Sequence, residues 1–286
     1  MGLLLPGQFM IEGLIFGKGT PYVLTGDSGG FDIQPYGVAA GDYQVPRQDE
    51  NRFGQDQLTP GPINIQLGLL QNRWLRTPPA GATLVQADLG RLQKIWRGDD
   101  VRYKWGEMQQ LAYGSIDGTD KLIYGRCGKF QYSKINPKTE SHTVTAEFRR
   151  ADILSYSAVQ YVRDFVPNAA PLTVTNGTGG DAPSWVTIFL QGPLKTWTLT
   201  FGDVVIPSNW DIPEGKILEI NSYPWTRRAV DSDGINRRAN LIGATPYLDR
   251  LKFKDTDSPK VSLTATGTNG NSKGVVAYRD AFQVIK

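Results

Sequence analysis

From residue 185 to 238 apolar and polar side chains alternate with a two-residue period, and that pattern allows little besides antiparallel sheet. Thr196, Thr198 and Thr200 interleave with Trp197, Leu199 and Phe201. Successive side chains of a strand point to opposite faces, so such a segment buries one face and wets the other. Farther on, Arg227-Arg228-Ala229-Val230 and Ile235-Asn236-Arg237-Arg238 flank Asp231-Ser232-Asp233-Gly234, which reads as a hairpin turn between two strands. The stretch builds rigid surface suited to contact, and no set of catalytic residues lies within it.

The same period recurs along the chain. Ile63, Ile65, Leu67 and Leu69 alternate with Asn64, Gln66 and Gly68, and Val144, Ala146 and Phe148 with Thr143, Thr145, Glu147 and Arg149. Val261, Leu263 and Ala265 alternate with Ser262, Thr264 and Thr266. Turn signals such as Asn136-Pro137-Lys138 and Asn269-Gly270 surround these segments, as in antiparallel sheets. One segment is helical instead. After Pro78-Pro79-Ala80-Gly81, Thr83 and Gln86 form a capping-box pattern, Val85, Leu89, Leu92 and Trp96 recur at helical spacing, and Gly98 ends the run. The helix should lie on a sheet of the first half. Residues 37–56, and 57–63 with Pro60-Gly61-Pro62, read as long loops.

A chain of 286 residues accommodates two ordinary domains. The boundary is expected near Val166-Pro167-Asn168, ahead of a Pro-, Thr-, Asn- and Gly-rich stretch containing Asn176-Gly177-Thr178-Gly179-Gly180-Asp181. The expected fold is mainly β: an N-terminal β-rich domain with one packed helix over residues 1–166, and a C-terminal antiparallel β-sandwich over residues 167–286. At this length the core needs no covalent staple, and the single Cys127 excludes an internal disulfide. No fixed-period repeat is present.

Charge narrows the partners. The net charge of +3 is too small to imply a polyanion, but its distribution is uneven. Residues 26–60 carry Asp27, Asp32, Asp42, Asp49, Glu50 and Asp56 against Arg47 and Arg52, while residues 226–254 carry seven bases against three acids. Solvated faces and turns account for this; alternatively the two regions meet across a subunit boundary, where complementarity fixes register. The N-terminus lacks a basic region and meets Glu12 before an apolar core could form, so no signal peptide is expected. No run approaches 18 apolar residues, so no membrane span is expected, and the chain reads as soluble and made in a cytoplasm.

Reaction chemistry finds little support. His142 is the only histidine, lies far in sequence from Cys127, and has no nucleophile-elbow motif to serve; it reads as a strand-edge residue. Zinc held by His and Cys alone would need more of each. Asp231-Ser232-Asp233-Gly234 lacks the remaining ligands of a calcium loop. The glycines at 177–180 do not join a strand to a helix, so no phosphate cradle follows, and Asn176-Gly177-Thr178 is a chance sequon. Paired carboxylates could serve a glycosidase, yet the acids concentrate in turns and polar faces. Trp197 reads as core, whereas Trp210 and Trp225, beside Asn209 and Pro224, read as partly exposed and could stack on sugars. No catalytic residue, metal ligand or cofactor is expected.

Leu122-Ile123-Tyr124-Gly125-Arg126, then Thr143-Val144-Thr145-Ala146-Glu147-Phe148-Arg149-Arg150-Ala151-Asp152 and Tyr156, resemble the end of the N-terminal domain of siphophage distal tail (Dit) proteins. Trp185-Val186-Thr187-Ile188-Phe189-Leu190-Gln191-Gly192-Pro193-Leu194, Thr198-Leu199-Thr200-Phe201, Gly215-Lys216-Ile217-Leu218-Glu219-Ile220-Asn221 and the arginine-flanked Asp233-Gly234 turn are similar to their galectin-like C-terminal domain, especially in minor tail proteins of actinobacterial phages. The likeness covers roughly two-thirds of the chain and rests on order and pattern. One departure is Asn221-Ser222, where the family usually places an acid.

The resemblance implies a ring, commonly a hexamer, at the tail end far from the capsid. It would join the tail tube and tape measure protein to the tip and baseplate proteins, with C-terminal domains outward and no contact with nucleic acid or membrane. Closed rings use head-to-tail contacts, which need two different surfaces on one chain. The expected role is thus structural, not enzymatic. The alternatives are a glycan-binding module contacting the host surface and a cell-wall hydrolase. Arg227, Arg228, Arg237 and Arg238 are the candidate partner-facing residues, since like charges across a ribbon are unfavourable without acidic neighbours.

Overall fold

A computed structural model describes residues 4–26, 29–40, 43–44, 51–52, 57–69, 81–134, 141–175, 179–242, 248–253 and 258–283. The chain is mainly β with one long helix, as its alternation predicts. It divides into two compact units, Met1–Ser155 and Tyr156–Gln283. The division falls before Tyr161–Phe165 because that strand pairs with Lys273–Tyr278 of the second unit. The site near Val166-Pro167-Asn168 expected from composition therefore lies within that unit.

In the first unit one antiparallel sheet runs Leu14–Phe16, Phe9–Ile11, Gln109–Gly114, Asp120–Tyr132, His142–Arg150, Ile63–Leu69, Tyr22–Leu24, with Phe31–Ile33 also on Ile63–Leu69. The alternation explains the core: Ile63, Ile65, Leu67 and Leu69 are buried, as are Val144, Ala146 and Phe148 on the neighbouring strand. Helix α1, Gly81–Arg97, lays Val85, Leu89, Leu92 and Trp96 on this core. Gly98 ends it in the left-handed region (φ 57°), where a residue lacking Cβ is favoured, and α2, Asp99–Arg102, follows. The helix begins ahead of the expected cap at Thr83, whose side chain lies outside the description, as does the Asn136-Pro137-Lys138 turn.

The stretch read as long loops is a correction. Gly37–Ala39 pairs with Gln57–Thr59, and Tyr43–Gln44 pairs with Asn51–Arg52, so the chain leaves the sheet as an antiparallel two-stranded arm. Its inner ladder shows no apolar alternation because neither face there is buried: all six of its residues are exposed.

The second unit is a sandwich. One sheet runs Tyr161–Phe165, Lys273–Tyr278, Ser184–Gln191, Ile217–Asn221, Arg228–Asp231, and the other Leu172–Thr173, Lys260–Thr266, Lys195–Phe201, Val204–Pro207. Val186, Ile188 and Leu190 of the first share a core with Trp197, Leu199, Phe201, Val261 and Leu263 of the second. Val166 falls just past an edge strand of the first sheet.

Candidate interaction surfaces

The arginine turn lies at the edge of the larger sheet of the second unit. Arg228–Asp231 pairs with Ile217–Asn221, but the return leg makes only the bridge Val230↔Asn236 before a 3-10 turn at Arg238–Asn240. The expected second strand is absent because Asp231 curls the chain. Its buried carboxylate accepts from the amides of Asp233 (3.0 Å) and Ile235 (2.9 Å) and from Arg237 Nε (2.8 Å). Burial pushes this carboxyl up, but the Ile235 amide, Arg237 and the Asp233 amide outweigh it and hold it below the ordinary carboxylate value.

The structure brings the four arginines to one turn and gives two of them acids, which the linear sequence did not reveal. Arg228 forms a fork on Glu219, with both hydrogen bonds 3.2 Å long. Arg237 bonds Asp231 and lies over the Trp210 ring, 4.2 Å from its centroid. Arg227 Nε is buried with no hydrogen-bond partner among the described residues. The Arg238 side chain is exposed. Trp210 and Trp225 are half-buried, Trp197 is core, and the Trp197 indole donates to the Trp210 carbonyl at 2.8 Å. Trp225 stands edge-on to Tyr156 and tilted against Tyr223.

The arm disposes of its side chains differently. Val38 and Leu58 face each other across the ladder and are 56% and 49% exposed; Tyr36 at the base is also exposed. The root is tight: Gln34 N–H donates to the Pro62 carbonyl at 3.0 Å, and a Cβ on Gly61 would lie 2.1 Å from the Pro35 oxygen. An isolated two-stranded hairpin is at best marginal in water, and Tyr36, Val38 and Leu58 remain about half exposed on this one.

A third surface follows the helices. Tyr103 and Trp105, in the loop after α2, are 83% and 90% exposed. The loop under them is fixed. Arg126 donates to the carbonyls of Lys104 (2.7 Å) and Glu107 (2.9 Å), and Arg102 to those of Arg97 (2.8 Å), Trp96 and Cys127 (both 3.2 Å). Beside it runs an open trough of about 960 Å³, with Lys94, Arg97, Arg102, Tyr103 and Phe130 among its lining.

His142 and Cys127, the residues weighed for chemistry, are both buried in the first unit. His142 is buried, with Nδ1 2.8 Å from the Ser133 carbonyl and Nε2 3.1 Å from the Gln86 amide oxygen. Burial, with the nearby Glu12, raises the Cys127 thiol to about 12. Among the described residues no three His, Cys, Asp or Glu side chains group as metal ligands, and no helix is long and apolar enough to cross a membrane. The sequon Asn176-Gly177-Thr178 lies outside the described residues.

No family model and no curated protein matches the chain. Solved structures do. The Dit protein of phage SPP1, described as a paradigm of the hub adsorption apparatus in phages infecting Gram-positive bacteria, is similar over 96% of this chain and 98% of its own, with TM-score 0.58 and 14% identity. The fold is that of a phage Dit protein. Two structures of the phage p2 baseplate in its activated conformation, with Ca and with Sr, each contain a chain similar over 97% of this one, at 8% identity and TM-scores of 0.53 and 0.54. The Dit-like likeness spans the N-terminal third too, where the sequence pattern carried no resemblance.

Proposed function

We propose that this chain is a structural subunit of a phage tail tip. It forms a ring, of six copies in the family it resembles, that joins the tail tube and tape measure protein to tip or baseplate proteins. In this reading it acts by assembly, performs no chemistry, and resides at the distal end of the virion tail after synthesis in the host. The first domain makes the ring, and the second, a galectin-like sandwich in the resemblance, faces outward. The minor tail proteins of actinobacterial phages are the group whose pattern it follows.

One observation carries the proposal: the likeness to the SPP1 Dit protein extends over nearly the full length of both chains, so the pair of units is shared and not one common sandwich. The unburied arm supports the ring, since head-to-tail closure requires a surface that the monomer leaves uncovered. The test is mass measurement of the purified protein across concentration, with electron microscopy of the assembled species and labelled virions. Annular particles, and label confined to the tail end, are expected. Label spread along the tube or on the capsid overturns the placement, and a compact, non-annular oligomer overturns the ring.

The glycan-binding alternative gains no support here. Trp210, one of its stacking platforms, lies under Arg237, and Trp185 has Lys252 over its ring.

A further inference from the structure

We infer that Trp105 of one copy inserts into an apolar pocket beside Ile116 in the first unit of a second copy. The inference rests on the ring reading and names the two surfaces that meet in each head-to-tail contact.

Size and lining select the occupant. The pocket holds about 220 Å³, and Phe9, Leu24, Phe31, Ile33, Tyr113 and Ile116 are among its walls. Small-molecule sites usually hold roughly 300–1,000 Å³, so this one suits a single bulky side chain. Trp105 is the most exposed large apolar side chain among the described residues, at 90%, so it does not fill the pocket of its own chain. One wall residue has room for a donor. The Tyr113 hydroxyl is buried with no hydrogen-bond partner among the described residues. Burial pushes that phenol up to about 12, and the nearby Ser155 hydroxyl, itself unpartnered, offsets only part of the rise. An indole brings an N–H donor, which phenylalanine and the aliphatic side chains lack.

Charge favours the same pairing. The pocket lip from Ser115 to Asp120 carries Asp117 and Asp120 and no base. Hydrogen bonds from Thr119 hold the Asp117 carboxyl down to about 2, so it is ionised, and Lys121 lies 3.4 Å from it. The knob from Arg102 to Glu107 carries Arg102 and Lys104 against Glu107. Knob and lip are thus opposite in net charge, which steers the encounter and fixes its register. Both are ordered beforehand. Arg126 holds the carbonyls of Lys104 and Glu107, and the Ser115 amide donates to the Thr119 carbonyl at 3.1 Å, so little freedom remains to be lost on docking. Knob and pocket are different surfaces, and each copy gives one and receives one.

Complementation tests this directly. Trp105→Ala removes the knob and keeps the pocket, whereas Leu24→Trp fills the pocket and keeps the knob. Each variant alone should associate roughly 30-fold more weakly than the natural chain, the loss expected of an interface anchor. Mixed, they should form heterodimers that grow no further, because one intact knob meets one intact pocket. Ile116→Arg, at a lip position 86% exposed, should also weaken association without moving the unfolding midpoint, and it serves if Leu24→Trp fails to fold. Trp105→Ala rings as stable as the natural ones, or folded variants that give no mixed dimer, overturn the docking site and leave the ring reading standing. A natural chain that stays monomeric at high concentration overturns both.

Discussion

The arginine turn at residues 227–238 and the ladder of Gly37–Ala39 with Gln57–Thr59 both lie at the surface, yet they use their side chains in opposite ways. In the turn, Arg228 and Arg237 find Glu219 and Asp231, and Arg237 covers Trp210. In the arm, Val38 and Leu58 stand opposite each other across the ladder, each about half exposed. The difference teaches that uncompensated apolar area marks a contact surface better than a count of charges. A cluster of like charges is a partner-facing signal only after the acids that neutralise it in the fold have been subtracted. Subtraction leaves Arg238 and the buried Arg227 Nε without an acid partner among the described residues, while Val38 and Leu58 remain about half exposed.

The largest effect tests whether the turn is built into the fold. Trp197 fills the sandwich core and its indole donates to the carbonyl of Trp210, the residue whose ring Arg237 covers. Trp197→Ala should lower stability by about 3–5 kcal/mol, the usual consequence of emptying a large buried aromatic site. Urea unfolding followed by fluorescence measures it. A loss near zero would mean that the second unit is not the packed sandwich described.

A smaller effect separates the arginines from one another. Arg237→Ala removes a charged hydrogen bond to Asp231 and the contact with Trp210, and should cost about 2 kcal/mol. Arg238→Ala should change stability by less than about 0.5 kcal/mol, as exposed substitutions usually do. Equal effects at the two positions would erase the distinction drawn within the turn. Acid titration gives the same distinction another sign. Asp231 is held below its ordinary value, so the native state binds its proton less readily than the unfolded chain does. Its contribution is complete above the ordinary carboxylate value of about 3.9 and is lost as pH falls through the lowered native value. Asp231→Asn should therefore be destabilising at neutral pH and should flatten the acid limb of the stability profile. An unchanged limb would show that the carboxylate is not engaged as described.

How far the sequence was legible follows the same division. Ile63 to Leu69 and Trp197 to Phe201 announced themselves because a one-sided strand writes burial as a period of two. Helix α1 did so through Val85, Leu89, Leu92 and Trp96. The arm could not, because a ladder with both faces wet imposes no alternation, and Val38 and Leu58 stand singly among Gly, Ala and Gln. Nor could Tyr103 and Trp105 be told from core aromatics, since the arginine that fixes their loop, Arg126, comes from a strand well down the chain. For the turn, Arg228 and Glu219 are brought together only by strand pairing, so residue order listed the cations without their closest partners.

The smallest change in stability carries the most weight for the comparison. Val38→Ser with Leu58→Ser removes the apolar pair and avoids the like charges that paired acids would place across the ladder. Because both side chains are about half exposed, the urea midpoint should imply a change within about 0.5 kcal/mol. Sedimentation or mass photometry of the same protein should nonetheless show the oligomer reduced to monomer. A stability loss on the scale of Trp197→Ala would mean that the arm is covered by its own chain. An unaltered oligomer would mean that its apolar pair covers nothing, and uncompensated area would then be no better a guide than charge.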